Sequence, residues 1–304
     1  MKLKGGLGWA ALTIVCWGPM FPIAKRAMDH VDAFALGTLR YGFGLVLLAI
    51  LLAIVEGPRA LRYEGRLGQA VFAGLLGITG FNALVWFGLM STRPEHAAII
   101  MALQSPMTAI AVWLVNGQRP ASFTLGCTAV AIAGVALVVT RGDPAHAFGG
   151  GTLLGDALIV AGATVWVAYT LRGARFAGWS PLRFTVLTCI PGGIGLAAVN
   201  AVMVAGGVAH VPSMAAIGAI FWPLVYFVIG SVVLGIVAFN QTVRHLGPLN
   251  TMLMLNLIPV TVFGIEAALG RSYVPLEIAG AAIVIGALVA NNLYLRWGSS
   301  RKAA

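Results

Sequence analysis

Long apolar runs alternate with short clusters of turn residues and charge from one end of this chain to the other. At helical length the runs fall at about 7–25, 34–55, 68–91, 95–115, 121–140, 152–172, 182–205, 215–242, 248–269 and 275–297. Each run is apolar on all sides, as in a helix that lipid or another helix covers on every face. A bilayer core takes about 20 apolar residues per helical span. The pattern therefore predicts an all-α polytopic membrane protein with ten transmembrane helices. The separators are compact: Glu56-Gly57-Pro58-Arg59, Gly117-Gln118-Arg119-Pro120, Arg141-Gly142-Asp143-Pro144 and Gly247-Pro248. None leaves room for a water-soluble domain, and the Gly-rich stretch at 141–151 reads as a flexible loop.

Composition agrees, with 60% hydrophobic and 9% charged residues among 304. The few charges set an orientation. With the N-terminus cytoplasmic, thirteen Lys and Arg face the cytoplasm, and six (Lys25, Arg26, Arg40, Arg93, Arg141 and Arg271) face the other side. Short loops rich in Lys and Arg stay cytoplasmic, so both termini are expected inside. The net charge of +10 is then topology. Nucleic acid is not expected as a partner, because the basic residues are scattered over separate loops. Lys2 and Lys4 suit the start of a signal peptide, but the first run ends in Pro22-Ile23-Ala24-Lys25-Arg26 without a cleavage site, and is read as a true span. Arg outnumbers Lys fifteen to four, which points to a GC-rich bacterial genome and so to an inner (plasma) membrane. Cys16, Cys127 and Cys189 share no motif and read as small packing residues.

The chain repeats itself at about half its length. Trp17 and Trp166 lie 149 apart, as do Arg26 and Arg175, while Pro106 and Pro259 lie 153 apart, as do Gly117 and Gly270. Two units are expected, residues 1–145 and 146–304. Five spans per unit is an odd number, so the second unit enters the membrane inverted. Inverted repeats recur in secondary transporters, with the substrate between the halves at interrupted helices. Pro19, Pro22, Pro106 and Pro259 supply such interruptions. Each removes an amide donor and frees the carbonyl one turn earlier. A single proline of this kind either kinks its helix or opens a site; the matched pair Pro106 and Pro259 favours a shared hinge role.

Polar and aromatic groups deep in the runs are the candidates to line a cavity. Asn82 and Trp86 share a helix face, as do Met101 with Gln104 and Trp166 with Tyr169. Trp17, Met20, Asn240, Met252 and Asn256 complete the set. Aromatic walls, thioethers and neutral amides suit a cargo with a flat apolar part and a polar head, although each amide would serve equally as packing glue between helices. Arg40 and Glu266 are expected near the outer face, where they would pair as a gate. Asp29-His30-Val31-Asp32 reads as a solvated turn rather than a metal site, and Glu95-His96 as a helix start. No phosphate-binding loop, His-Glu-x-x-His pair or Gly-x-Ser-x-Gly elbow occurs. No catalytic residue, metal or cofactor is therefore expected. An integral-membrane enzyme would cluster His, Asp or Glu at one face, and the five histidines are dispersed.

Ser105-Pro106 leads through Asn116-Gly117-Gln118 to Gly126 and Gly134, and Ile258-Pro259 leads through Leu269-Gly270-Arg271 to Gly280 and Gly286. In these motifs the chain resembles the drug/metabolite transporter superfamily, in its EamA-type branch. The family usually has Glu after the turn glycine, where this chain has Gln118 and Arg271. The resemblance spans nearly the whole sequence and is closest to bacterial exporters of aromatic amino acids. It implies export of aromatic and other neutral amino acids, such as phenylalanine or threonine, by alternating access; another small metabolite or drug is the alternative cargo. A monomer would suffice, and the Gly-rich fifth and tenth helices would pack either within one chain or between protomers.

Overall fold

Lipid offers no hydrogen bonds, so a spanning backbone must satisfy its own polar groups. The chain does this with helices throughout. A computed structural model describes residues 2–117, 119–143, 152–173, 175–176 and 178–302, and among these no strand occurs. The expected boundary at 145/146, Gln118, most of the 141–151 loop and the Met252 side chain lie outside the described set.

The first rod is broken into α1 (Lys2–Trp17) and α2 (Met20–Ala27). Helix α3 (Ala33–Val55) follows, then α4 (Leu67–Gly74) and α5 (Phe81–Ser91), joined by a π-helical turn at Leu75–Gly80. Another broken rod comprises α6 (Pro94–Ala102) and α7 (Gln104–Asn116). Next come α8 (Ser122–Thr140), α9 (Leu153–Gly173) and α10 (Pro181–Ala205). Short α11 (Met214–Ala219) and α12 (Phe221–Val225) enter a second π-helical stretch, Tyr226–Leu234, that runs into α13 (Gly235–Leu255). Helices α14 (Ile258–Ala268) and α15 (Pro275–Lys302) close the chain.

Among the described residues, eight helical rods are long and apolar enough to cross a membrane, and two further apolar stretches, 258–268 and 275–291, are shorter. One expected separator takes another form. The backbone keeps helical hydrogen bonding through Gly247-Pro248, with a further interruption at Asn256-Leu257; because Ile236 and Asn256 line the same cavity, the chain folds back between them rather than running on as one straight rod. Proline's fixed φ lies close to the helical value, so this turn is made in helical backbone geometry at the loss of one hydrogen bond.

Helices α1 and α13, α5 and α9, α3 and α10, and α8 and α15 form the main packed pairs. Val46, Ile50 and Ile54 on α3 point outward, as the lipid-facing side of a membrane bundle requires. Between helices, small residues set the approach. A Cβ on Gly134 would stand 2.9 Å from the Gly280 carbonyl, and one on Gly280 would stand 2.8 Å from the Gly134 carbonyl. Helices α8 and α15 therefore touch backbone to backbone within one chain. Gly286, one helical face away, has open space around it.

This contact makes a test. Gly134→Leu or Gly280→Leu overpacks the crossing, at a cost of about 1–3 kcal/mol. The detergent-solubilised variant is expected to lose monodispersity at a clearly lower temperature than wild type. Gly286→Leu, at an exposed position, is expected to melt with the wild type.

Candidate functional site

Three helix breaks open onto one cavity of about 150 Å³. Trp17 and Met20 flank the break between α1 and α2, Ala102 and Gln104 the break at Leu103, and Leu255, Asn256 and Ile258 the break between α13 and α14; all seven line the cavity. Each break precedes a proline in the first turn of the next helix: Pro22 in α2, Pro106 in α7 and Pro259 in α14. A first-turn position needs no amide donor, so proline starts these segments without penalty. Pro106 has no N–H for the Ala102 carbonyl four residues earlier, and Pro259 has none for the Leu255 carbonyl. Both of those carbonyl-bearing residues face the cavity.

The main charge at the cavity is Arg40, from α3, whose residue is only 4% exposed. Its Nη2 donates to Asn82 Oδ1 at 2.8 Å, and its Nη1 lies 3.6 Å from Met20 Sδ. The guanidinium carbon sits 4.8 Å from the ring centres of both Tyr41 and Trp86. Its Nε is buried without a hydrogen-bond partner. No acidic side chain lines the cavity among the described residues. Burying a charge without a counter-ion is expensive. Cation–π contacts and one amide offset part of that cost, and a positive potential remains directed at the empty space.

The apolar walls are aromatic. Phe239 packs on Trp17 at 5.2 Å between ring centres, and Phe81 packs on Trp166 at 4.7 Å. Both pairs line the cavity. The Trp17 indole is fixed by donating to the Ser231 carbonyl at 3.0 Å, within the π-helical stretch. Gly235 allows this, because a Cβ there would stand 2.3 Å from the indole nitrogen.

Six of the expected lining residues meet at this cavity: Trp17, Met20, Met101, Gln104, Trp166 and Asn256. Asn82 and Trp86 do not line it. They stand behind Arg40, where Asn82 Oδ1 also accepts from the Trp86 indole at 2.8 Å and Asn82 Nδ2 donates to the Ile78 carbonyl at 2.7 Å. Tyr169 belongs to a separate cluster, stacked on Phe184 with its hydroxyl 3.0 Å from the Thr188 oxygen. Asn240 Nδ2 donates to Thr185 Oγ1 at 3.5 Å, away from the cavity. Pro259 lines the cavity, Pro22 and Pro106 are buried without lining it, and Pro19 caps α2 at the first break.

The expected pairing of Arg40 with Glu266 is not formed. Glu266 accepts from Arg26 at 2.9 and 3.3 Å, because the last turn of α14 lies against α2 while Arg40 is drawn to Asn82. Other ion pairs gather the same helix ends. Arg271 pairs with Glu95, and Glu277 receives Arg141 at 2.9 Å and Arg93 at 3.2 Å. The role of Arg40 was missed from sequence, although an intramembrane arginine marks a functional position by default. Tyr41, Phe81, Ser105, Ser231 and Phe239 were missed too; in runs this apolar, no pattern separates them from packing residues.

Comparison with known proteins places this geometry in a family. The model of the EamA-like transporter family matches residues 4–140. A Bacillus subtilis (strain 168) protein named as an uncharacterized transporter, YrdR, is 31% identical over 301 residues, covering 96% of this chain and 94% of its own. A Streptantibioticus cattleyicolor protein named as a probable terminal-alkyne amino-acid exporter is 24% identical over 308 residues, covering 100% of this chain and 98% of its own. A solved crystal structure at 19% identity superposes with a TM-score of 0.69 over 98% of this chain and 99% of the other, which shows a shared fold. With helices that cross a membrane and a transporter relative matched almost end to end, the chain belongs to the EamA-like transporter family.

Proposed function

We propose that this transporter exports neutral amino acids, aromatic ones foremost, by alternating access across the bacterial inner membrane. The observation that carries the reading is Arg40, a guanidinium buried at the cavity with no carboxylate beside it among the described residues. An amino acid brings that carboxylate. A charge-assisted pair with Arg40 supplies both affinity and orientation. The ammonium then finds acceptors in the Ala102 and Leu255 carbonyls and the side-chain oxygens of Gln104 and Asn256, all on the same cavity. The side chain lies between the Trp17–Phe239 and Trp166–Phe81 pairs. A cavity of about 150 Å³ is small beside the clefts that hold drug-sized ligands, which favours a single small metabolite. The absence of a lining acid among the described residues disfavours a lipophilic cation. The amino-acid exporter among the relatives supports the same cargo class.

The reading includes ten spans in two inverted units, 1–145 and 146–304, with both termini cytoplasmic and a monomer as the working form. Matched packing supports it. Helix α1 lies on α13 as α9 lies on α5, and α8 with α15 and α3 with α10 pair element to equivalent element. The π-helical stretches at Leu75–Gly80 and Tyr226–Leu234 fall in equivalent spans. So do the breaks ahead of Pro106 and Pro259. Ion pairs Arg26–Glu266 and Arg271–Glu95 act as the outer gate between the units.

Counterflow in vesicles holding the purified protein tests the cargo. Labelled phenylalanine and threonine are expected to exchange, and a cationic dye is not; exchange of the dye alone overturns the proposal. Phenethylamine, which lacks the carboxylate, is expected not to compete. Arg40→Gln is expected to weaken phenylalanine binding by roughly 10- to 100-fold, the worth of one charge-assisted hydrogen bond, with Arg40→Lys intermediate. Trp17→Ala and Trp166→Ala are each expected to cut transport strongly while the protein still folds in the membrane. Normal transport by both would remove the aromatic walls from the site. Pro106→Ala and Pro259→Ala are expected to slow turnover more than they weaken affinity, and a pure affinity loss would rule out hinges.

A further inference from the structure

Thr92, His96 and Asp156 meet where α5 ends and α6 and α9 begin. All three are buried, at 2%, 2% and 5% exposure. His96 Nδ1 stands 3.3 Å from each Asp156 carboxylate oxygen. The Thr92 hydroxyl donates to Asp156 Oδ1, and its oxygen lies 3.4 Å from His96 Nδ1. His96 Nε2 is buried with no hydrogen-bond partner. A carboxylate facing Nδ1 selects the tautomer that carries its proton there. That leaves the Nε2 lone pair open in the interior.

We propose that the His96–Asp156 pair is a binding site for one proton, through which transport is coupled to a proton gradient. The proton adds to the Nε2 lone pair, one N–H bond forms and no bond breaks. The pair goes from a net charge of −1 to a neutral imidazolium–carboxylate couple. Burial favours that change, because a lone charge in a low-dielectric interior is costly and a matched pair is less so. The change is also mechanical. Proton binding turns a hydrogen bond with one ionised partner into one with two, and the added Coulomb attraction is large in a low-dielectric interior, so it draws α6 against α9. Helix α6 carries Met101 and α9 carries Trp166, both at the cavity wall. Proton occupancy thus tightens one end of the chamber and proton loss loosens it.

The neighbouring charges do not replace this site. Helix α6 itself starts with Arg93 and Glu95; α2 brings Lys25 and Arg26, α14 and its following turn bring Glu266 and Arg271, α15 brings Glu277, and Arg141 ends α8. Helices α5 and α7 bring no charge, and Asp156 is the charged group of the first turns of α9. Among these, Glu95, Glu266 and Glu277 each pair with arginine, and Lys25 donates to the Leu89 and Met90 carbonyls at 2.5 and 2.8 Å.

The inference needs only a transporter, not a particular cargo, and its test separates the two. In vesicles, an opposing pH gradient is expected to raise net phenylalanine flux several-fold in wild type, and this ratio is expected to fall to about one in His96→Gln, as the loss of one titratable imidazole requires. Thr92→Val keeps both His96 and Asp156 and removes one donor to Asp156, and its flux is expected to remain stimulated by the gradient. Stimulation that survives His96→Gln, or its absence in wild type, overturns the proposal. If neither phenylalanine nor threonine moves, the amino-acid reading fails, and the site is read by nitrogen-15 histidine NMR in nanodiscs. There the His96 Nε2 resonance is expected to move from the bare to the protonated range as acid is added, and Asp156→Asn is expected to diminish that change. A His96 signal flat from about pH 5 to about pH 8 overturns the proton site whatever the cargo.

Discussion

Everything in this bundle follows from one constraint: a peptide carbonyl in hydrocarbon must find a donor. Regular helices meet it at no cost. A helix that breaks in mid-membrane does not, and so it cannot face lipid. Here three rods break, at Gly18-Pro19, Leu103 and Asn256-Leu257, and the residues flanking all three line a single cavity. The prolines that follow each break keep the segments apart while starting the next helix without strain. The cavity is therefore built by the breaks, with side chains added to its walls.

Arg40 gives that cavity its chemistry. Its charge is held by aromatic faces and one amide rather than by an acid. Asn82 is the pivot of this arrangement. Its oxygen receives both Arg40 and the Trp86 indole, and its amide nitrogen is spent on Tyr41 Oη at 3.2 Å and the Ile78 carbonyl at 2.7 Å. With no freedom left, the amide cannot flip, and the guanidinium is aimed rather than merely buried. Such second-layer support is what a precise site needs.

Much of the fold was legible because membrane helices write their length in apolar residues. Trp17 and Trp166, with Met20, Met101, Gln104, Asn256 and Pro259, stood out in the sequence because polar or bulky residues at mid-run have few structural excuses, and all of them line the cavity. Three things were not legible. The break at Asn256-Leu257 carries no turn signal, whereas Gly247-Pro248 does and keeps helical hydrogen bonding. Arg40 sits early in an apolar run, where a snorkelling side chain and an inward one have the same sequence. The π-helical stretch at Tyr226–Leu234 shifts the facing of the residues beyond it in the same rod, so a face counted at the regular period misplaces Asn240, whereas Tyr169, on a regular helix, turns to Phe184 on α10. Glu266 was rightly singled out, but its partner depended on which helix end the last turn of α14 meets, and that is a tertiary fact.

The uncompensated guanidinium has an electrical consequence. With the zwitterionic cargo proposed above, which has no net charge, the cavity would hold one positive charge whether it is empty or filled. If the chamber opens to each face in turn, that charge crosses the same fraction of the field on the loaded and the unloaded stroke. Membrane voltage, worth about 2.3 kcal/mol per elementary charge per 100 mV, then speeds one stroke and slows the other by the same factor. Voltage alone would set the tempo of such a carrier without concentrating its cargo on either side.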